Sequence, residues 1–442
     1  MSNKKLIIGL LWWLLGFMGH QAEAQNGFNL PYSQYGLGIC ELPYNMPMVA
    51  RMGGVVYTRS GNNHINPFNA ASYGSIATES FVFDIGFNLQ RCQLNSGELS
   101  VKDADGNVGY LAVGMPIAKW LKLSIGLMPY STIDYLTVVN TTNINGKSIR
   151  TEATGDGGVN EVYAGFGFNI IENKKNNLQA GFNIGYLTGK IVKLLSYSST
   201  DSNFVPERKA KDMRLGNVVL DFGIQYRRAL GEKYTLGVGL SYKPHMKLRP
   251  KEIDIIYTYY ASTESLLDTI FPERGDDVET RSLLEQANTV GVGLSLERNG
   301  RWQVAADATF GSWQGLRYSE PEGRAIFGET IMHSGAYSSY ALGFEKMVNM
   351  DASNYWSRLG WSLGAHLDQG LVYVSTTNGD KRIDQWGVGG GLNLPMRRGR
   401  SLLTISVAYS SMGKKDIMQR NCITFGIAIS SCERWFVKRK YN

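Results

Sequence analysis

Beyond its first two dozen residues the chain has no run of the roughly 18 to 20 apolar residues that a membrane-crossing helix needs. If it crosses a membrane it must do so with strands, since only helices and closed barrels satisfy every backbone group in lipid. Cysteine is scarce, with four in 442 residues, and none stands after the expected cleavage point as a lipid-anchor signal would require. Histidine is nearly as rare: His20, His64, His245, His333 and His366 are the five. None of them has the spacing of a zinc pair or of a nucleophile's base. These shortages point away from a catalytic site, a metal site or a bound cofactor. The formal charge of +7 is scattered rather than gathered, so no nucleic-acid partner is implied. The basic runs Arg397-Arg398-Gly399-Arg400 and Lys438-Arg439-Lys440 fall at expected turns, where they would meet anionic lipid or a partner protein.

What is present begins with a secretion signal over residues 1–24. Lys4 and Lys5 precede an apolar stretch from Leu6 to Met18, and Ala22-Glu23-Ala24 supplies a small-residue cleavage site before Gln25.

The body of the chain alternates apolar residues with small or polar ones. Phe81, Phe83, Ile85, Phe87 and Leu89 interleave with Val82, Asp84, Gly86, Asn88 and Gln90, which sends one set to each face of a strand. About fourteen such segments begin near 81, 109, 121, 162, 178, 218, 234, 288, 302, 338, 359, 386, 403 and 423. Each is close to the roughly 9 to 11 residues of a membrane-crossing strand. The polar partners decide the class. In Tyr234 to Tyr242 they are Thr235, Gly237, Gly239 and Ser241, a small, uncharged set suited to a filled lumen, whereas a soluble sandwich or propeller would show Lys and Glu there. The 51 glycines fit curvature and a close-packed interior. The expected fold is an all-β, antiparallel outer-membrane barrel of about 14 strands with both ends in the periplasm.

Connections alternate in length. Pro116 to Lys119, Glu172 to Asn177, Ala229 to Lys233, Arg298 to Arg301, Asn349 to Tyr355 and Pro395 to Ser401 are short and turn-like, and are placed on the periplasmic side. The long ones are placed outside, with Ile191 to Tyr197, Ile253 to Tyr260 and Leu371 to Ser375 read as strand extensions and Ser198 to Gly216 as a short polar loop. Trp120, Tyr130, Trp302, Trp313, Trp356, Trp386 and Trp435 are placed in interfacial girdles. The inward charges Asp84, Lys122, Asp221, Asp307 and Glu345 are expected to pair with the plug or with each other, because isolated charges in a filled lumen are costly. His366 is assigned to lumen hydrogen bonding.

Residues 25–78 lack the alternation. They carry Tyr35-Gly36-Leu37-Gly38, then Gly53-Gly54, then Asn66-Pro67-Phe68-Asn69-Ala70. In this stretch the chain resembles the FadL-type outer-membrane transporter family, as a divergent member. The resemblance implies a hatch, over 25–78, inside a barrel over 79–437, with Gly36, Gly38, Gly53, Gly54, Asn66, Pro67 and Phe68 as its motif residues. It implies passive uptake of a fatty-acid-like hydrophobic compound that enters between hatch and wall and leaves sideways into the membrane. The alternative is a non-transporting subunit of an outer-membrane assembly or export complex. The partners would be membrane lipid, a hydrophobic small molecule, or other outer-membrane or periplasmic proteins.

Two further expectations concern the outer end. Ile255, Tyr257, Leu266, Leu267, Ile270 and Phe271 form the candidate outer hydrophobic surface, read either as a ligand groove or as a strand extension and short helix packing on themselves. Closing the first strand on the last brings Cys92 towards Cys422, proposed as a clasp, with Cys40 to Cys432 as a tether of hatch to wall. Four buried thiols acting as small apolar residues remain the alternative.

Overall fold

The computed structural model describes residues 31–434 except 35, 41, 98, 143–146, 200, 202–203, 260–265, 271–279, 282, 313–317, 320–334, 351, 377–378, 397–400 and 415–416. The expected secretion segment, Tyr35, Phe271, Trp313, His333, Trp435 and both basic runs' central residues lie outside them.

A single antiparallel sheet closes into a 14-stranded barrel. Its strands are β1 (Ser80–Ser96), β2 (Leu99–Pro116), β3 (Leu121–Thr142), β4 (Ser148–Glu172), β5 (Asn176–Ser199), β6 (Glu207–Leu230) and β7 (Tyr234–Lys243). They continue with β8 (Thr289–Arg298), β9 (Trp302–Ser312), β10 (Ala336–Lys346), β11 (Gly360–Thr376), β12 (Gly379–Pro395), β13 (Leu402–Lys414) and β14 (Met418–Arg434). Closure runs from Ser80 opposite Arg434 to Asn95 opposite Gln419. The alternation sets the register. Val82, Asp84 and Asn88 turn inward and are buried, while Phe87 and Leu89 face out, 44% and 41% exposed. Phe222, Leu240, Leu294, Leu363 and Phe425 continue that outer apolar belt. At the short-turn end Tyr234, Trp302, Phe344 and Trp361 form a chain of ring contacts, with centroids 5.2 to 6.4 Å apart. That is the arrangement of an aromatic girdle.

The strands differ greatly in height. β3 to β6 have 22 to 25 residues, whereas β7 to β10 have 10 or 11. This corrects several expected loops. Residues 91–96 and 99–108 belong to β1 and β2, which turn tightly at Gly97, and 148–161 and 207–216 belong to β4 and β6. Beyond the apolar belt neither face must be greasy, so the ladder continues without alternation. A separate strand, Lys251–Tyr259, pairs along the far half of β6, from Lys251 opposite Arg214 to Thr258 opposite Glu207.

The hatch fills the lumen. It consists of single turns at Pro31–Gln34, Pro43–Asn45 and Ala70–Ser75, a one-turn helix at Pro47–Ala50, and the two-residue strand Ile39–Cys40. All four motif glycines have positive φ: 54° at Gly36, 90° at Gly38, 65° at Gly53 and 100° at Gly54. These are left-handed conformations that a side chain resists. At Gly53 a Cβ would also collide with the backbone of Ala365 on β11.

Candidate functional site

Polar groups of the wall hold the hatch in place. Arg51 Nη1 lies 2.7 Å from Glu345 Oε1 and 3.1 Å from Ser362 Oγ. Glu345 also accepts from Asn393, whose own amide oxygen accepts from Thr404. One hatch guanidinium thus ties together β10, β11, β12 and β13. Asp307 accepts both the Val56 and Tyr57 amides at 2.5 and 2.8 Å, and Asp84 accepts from Ile65, Tyr110 and Ser430. Lys122 does neither of the expected things. It donates to the carbonyls of Ala118 and Lys119 in its own turn, at 3.1 Å each, because it is the first inward position above that turn.

The Asn-Pro-Phe-Asn motif is a set of turn locks. Asn66 donates to the carbonyls of Val56 and Arg59 and accepts from the Phe68 amide. The carbonyls of Pro67 and Phe68 accept from Asn183 and Ser241 on the wall. Nearby, His64 sits next to Arg59 and Arg51. Burial first, and the two guanidiniums second, push its pKa down to about 3.

Cys92 and Cys422 face each other across β1 and β14 and are joined by a disulfide, with Cα atoms 4.1 Å apart. The second bridge does not form, and the tether is corrected. Cys40 stands opposite Ser131, ten residues into β3, whereas Cys432 stands opposite Val82 at the start of β1. At roughly 3.3 Å per residue that is most of a strand's length apart. The hatch residue beside Cys432 is Asn62, its carbonyl 3.8 Å from the sulfur.

Between hatch and wall lies a cavity of about 270 Å³. Leu37, Ile39, Val56, Phe68, Met128 and Tyr130 supply apolar lining, and Tyr44 stacks on His366 with centroids 3.8 Å apart. Tyr130 therefore faces the interior, not a girdle. Glu161, Lys243, Asp307 and Asn88 add polar lining. Lys243 Nζ is 3.5 Å from Asp221 Oδ2. Glu161 and Lys243 were not singled out in the sequence, although both sit on the inward parity one step past the segments starting at Val162 and ending at Tyr242.

The cavity meets a parting in the wall. β2 and β3 pair only from Leu111 opposite Leu127 to Pro116 opposite Lys122, although both continue far beyond. At the parting stands Pro129, which has no N–H for a ladder. The β1/β2 register shifts at Gly86/Phe87 and the β3/β4 register at Pro129/Ser131. Asn107 and Gly109 of β2, and Met128, Pro129 and Tyr130 of β3, line the cavity there. Ile39 and Cys40 of the hatch pair with Thr132 and Ser131 of β3 just above.

The outer surface is arranged differently. Ile255 and Tyr257 are half-buried on Lys251–Tyr259, and the Tyr257 ring lies under Arg208, 5.8 Å from its guanidinium carbon. Residues 266–270, with Leu266, Leu267 and Ile270, form a strand pairing back on that one, so this stretch of the expected short helix is a strand. Neither Ile255 nor Tyr257 lines the cavity.

Among solved structures the chain is similar to the Pseudomonas putida toluene transporter TodX, at 14% identity and a TM-score of 0.52, covering 93% of this chain and 100% of that one. It is similar to a Pseudomonas aeruginosa FadL homologue, at 13% identity and 0.52, covering 90% and 100%. A third is the monoaromatic hydrocarbon channel CymD, at 13% and 0.51, covering 88% and 97%. The barrel with its internal hatch thus has the fold of those FadL-type proteins. No curated protein matches the sequence. The family model described as BamG matches residues 3–442, nearly the whole chain, and the protein belongs to the BamG family.

Proposed function

We propose that the protein is an integral outer-membrane barrel that passes an apolar solute from outside into the plane of the membrane. The observation that carries this reading is the meeting of the cavity with the β2/β3 parting. A solute held between hatch and wall lies beside strands that are not hydrogen-bonded to each other, so it can leave sideways without unpairing a ladder. TodX is a toluene transporter and CymD a monoaromatic hydrocarbon channel, which agrees with an apolar cargo here. The role is non-catalytic.

The test is uptake of radiolabelled toluene and of a labelled long-chain hydrocarbon by cells with and without the protein. Protein-dependent uptake is expected, reduced several-fold by Pro129→Val, which returns a ladder donor to β3. Equal uptake with and without the protein would overturn transport.

A second reading, a subunit of an outer-membrane assembly, is favoured by one observation. Lys119, Lys174, Lys175, Arg228, Lys233 and Arg301 are all exposed at the short-turn end. This basic excess, interrupted by the exposed Glu172 and Glu232 of the same turns, suits an acidic partner surface, and stable co-purification of other barrels or periplasmic proteins in mild detergent would support it.

A further inference from the structure

We infer that the lipid-facing side of β5, β6 and the strand Lys251–Tyr259 carries a docking site for the phosphate groups of an outer-leaflet glycolipid. The inference goes beyond the cargo, and it holds whether the barrel passes a solute or serves an assembly.

The outward residues of these strands are layered. Tyr186 and Val218 stand opposite each other and are exposed, while Leu187 and Val219 next to them are turned inward and buried. Two residues further along come Thr188 and Gly216, and two further again Lys190 and Arg214, each pair again directly opposed. The exposed Lys251 stands on the other side of Arg214, so three cations form one cross-strand row. Lys190 is twelve residues along β5 from Leu178, and Arg214 twelve along β6 from Tyr226, a pair opposed near the short-turn end. At roughly 3.3 Å per residue and a tilt of roughly 35 to 45°, the row stands about 30 Å above that pair, just past an apolar belt about 25 Å tall. That is the depth of lipid headgroups. The row continues directly from the belt of Tyr186 and Val218, so what lies against it is lipid.

Asp212, one outward step beyond, sets the two cations side by side. Its carboxylate is 2.9 Å from Lys190 Nζ and 3.4 Å from Arg214 Nε, while the lysine and arginine side chains stay 55% and 61% exposed. Engaging Arg214 through Nε leaves its terminal nitrogens to grip a phosphate with two hydrogen bonds. Lys247 and Arg249, exposed on either side of the buried Leu248, are held beside β6 by Asn217, which donates to the Lys247 carbonyl and accepts from the Arg249 amide. Within two residues of the row the described carboxylates on this face are Asp212 and the exposed Asp156; Glu252 is buried on the opposite face. Cations outnumber acids there, and an anionic headgroup is what such a surface attracts.

The purified full-length protein in mild detergent is titrated with diphosphoryl lipid A, with its fully dephosphorylated form and with phosphatidylcholine, and bound lipid is read by native mass spectrometry. Diphosphoryl lipid A is expected to bind at least tenfold more tightly than either of the others. Lys190→Gln combined with Arg214→Gln should weaken it at least tenfold. Lys102→Gln combined with Lys414→Gln removes the same charge from exposed lysines elsewhere at the long-loop end and should change the affinity less than twofold. Heat-modifiable migration on gels shows that both variants fold. Equal losses in the two variants, no loss in the first, or equal binding of the dephosphorylated lipid would overturn the inference. Displacement of the bound lipid by millimolar inorganic phosphate would assign the row to a free anion and overturn it as well. None of these outcomes touches the uptake or assembly reading, since neither uses this row.

Discussion

Arg51 of the hatch and Glu345 of β10 stand 2.7 Å apart, both buried, and the carboxylate is shared with Asn393. Removing one partner of a buried pair leaves the other charge uncompensated, a loss of about 3 to 5 kcal/mol. Glu345→Ala is expected to lower markedly the temperature at which the heat-modifiable band converts. Pairing it with Arg51→Met should recover most of that loss. A single variant as stable as the wild type would show that the pair does not anchor the hatch.

The hatch is expected to be the seal. Deleting residues 26–75 removes the segment against which the inward glycines pack, and inward residues that small leave a water-filled lumen. In planar bilayers the deleted barrel should conduct where the intact protein does not. A silent deletion variant would mean that wall side chains or outer loops close the tube.

Gly53 carries a φ of 65° and abuts the backbone of Ala365. Gly53→Ala costs about 1 to 2 kcal/mol for the dihedral alone, and more for the collision. The readout is faster protease nicking of the hatch from the short-turn side. Unchanged protection would refute this close seating.

Acid should loosen the hatch at His64. The folded state binds its proton only near pH 3 and the unfolded chain near 6.5, so between those values the unfolded state holds more protons and stability falls as pH falls. The slope is at most about 1.4 kcal/mol per pH unit, full stability being retained above about 6.5. Charged neighbours are Arg59, Arg51 and Glu345. His64→Gln should flatten the profile between pH 6.5 and 4, and an identical profile in the variant would assign the acid sensitivity to other groups.

Oxidised and reduced protein should differ in peptide maps by one cross-linked pair, Cys92 with Cys422. Substituting both by Ser should cost about 2 to 5 kcal/mol, seen in the same heat-modifiability assay. Recovery of both as alkylated thiols after oxidising preparation would exclude the bridge.

The sequence was most readable where lipid imposes a rule. In β1, β7 and β8 every second residue must be apolar, and the pattern survives to the last turn. In Ser148 to Asn160 of β4 nothing apolar is demanded, so strand and loop look alike in sequence and only the neighbouring β3 and β5 reveal the ladder. The hatch motif was legible because its glycines and asparagines answer to backbone conformation, which is local. Which wall residue each hatch group meets was not, since that depends on depth in the tube: Cys40 and Asn62 exchange roles for this reason alone. Glu161 and Lys243 are inconspicuous in the sequence because they end the alternating runs, where charge ordinarily signals a turn. Pro129 was the one visible mark of the parting, a proline inside an otherwise strand-like stretch.

The bridge between Cys92 and Cys422 joins positions 330 residues apart, and what it makes is a covalent hoop that includes every strand from β2 to β13. The hatch precedes Cys92 in the chain and sits within that hoop, as a cord passes through a ring. Once oxidised, β1 and β14 cannot come apart at that level whatever the thermal motion of the wall. The cord can then slip out only lengthwise, and any sideways breathing of the tube is thrown onto the other strand boundary that is already loose, between β2 and β3.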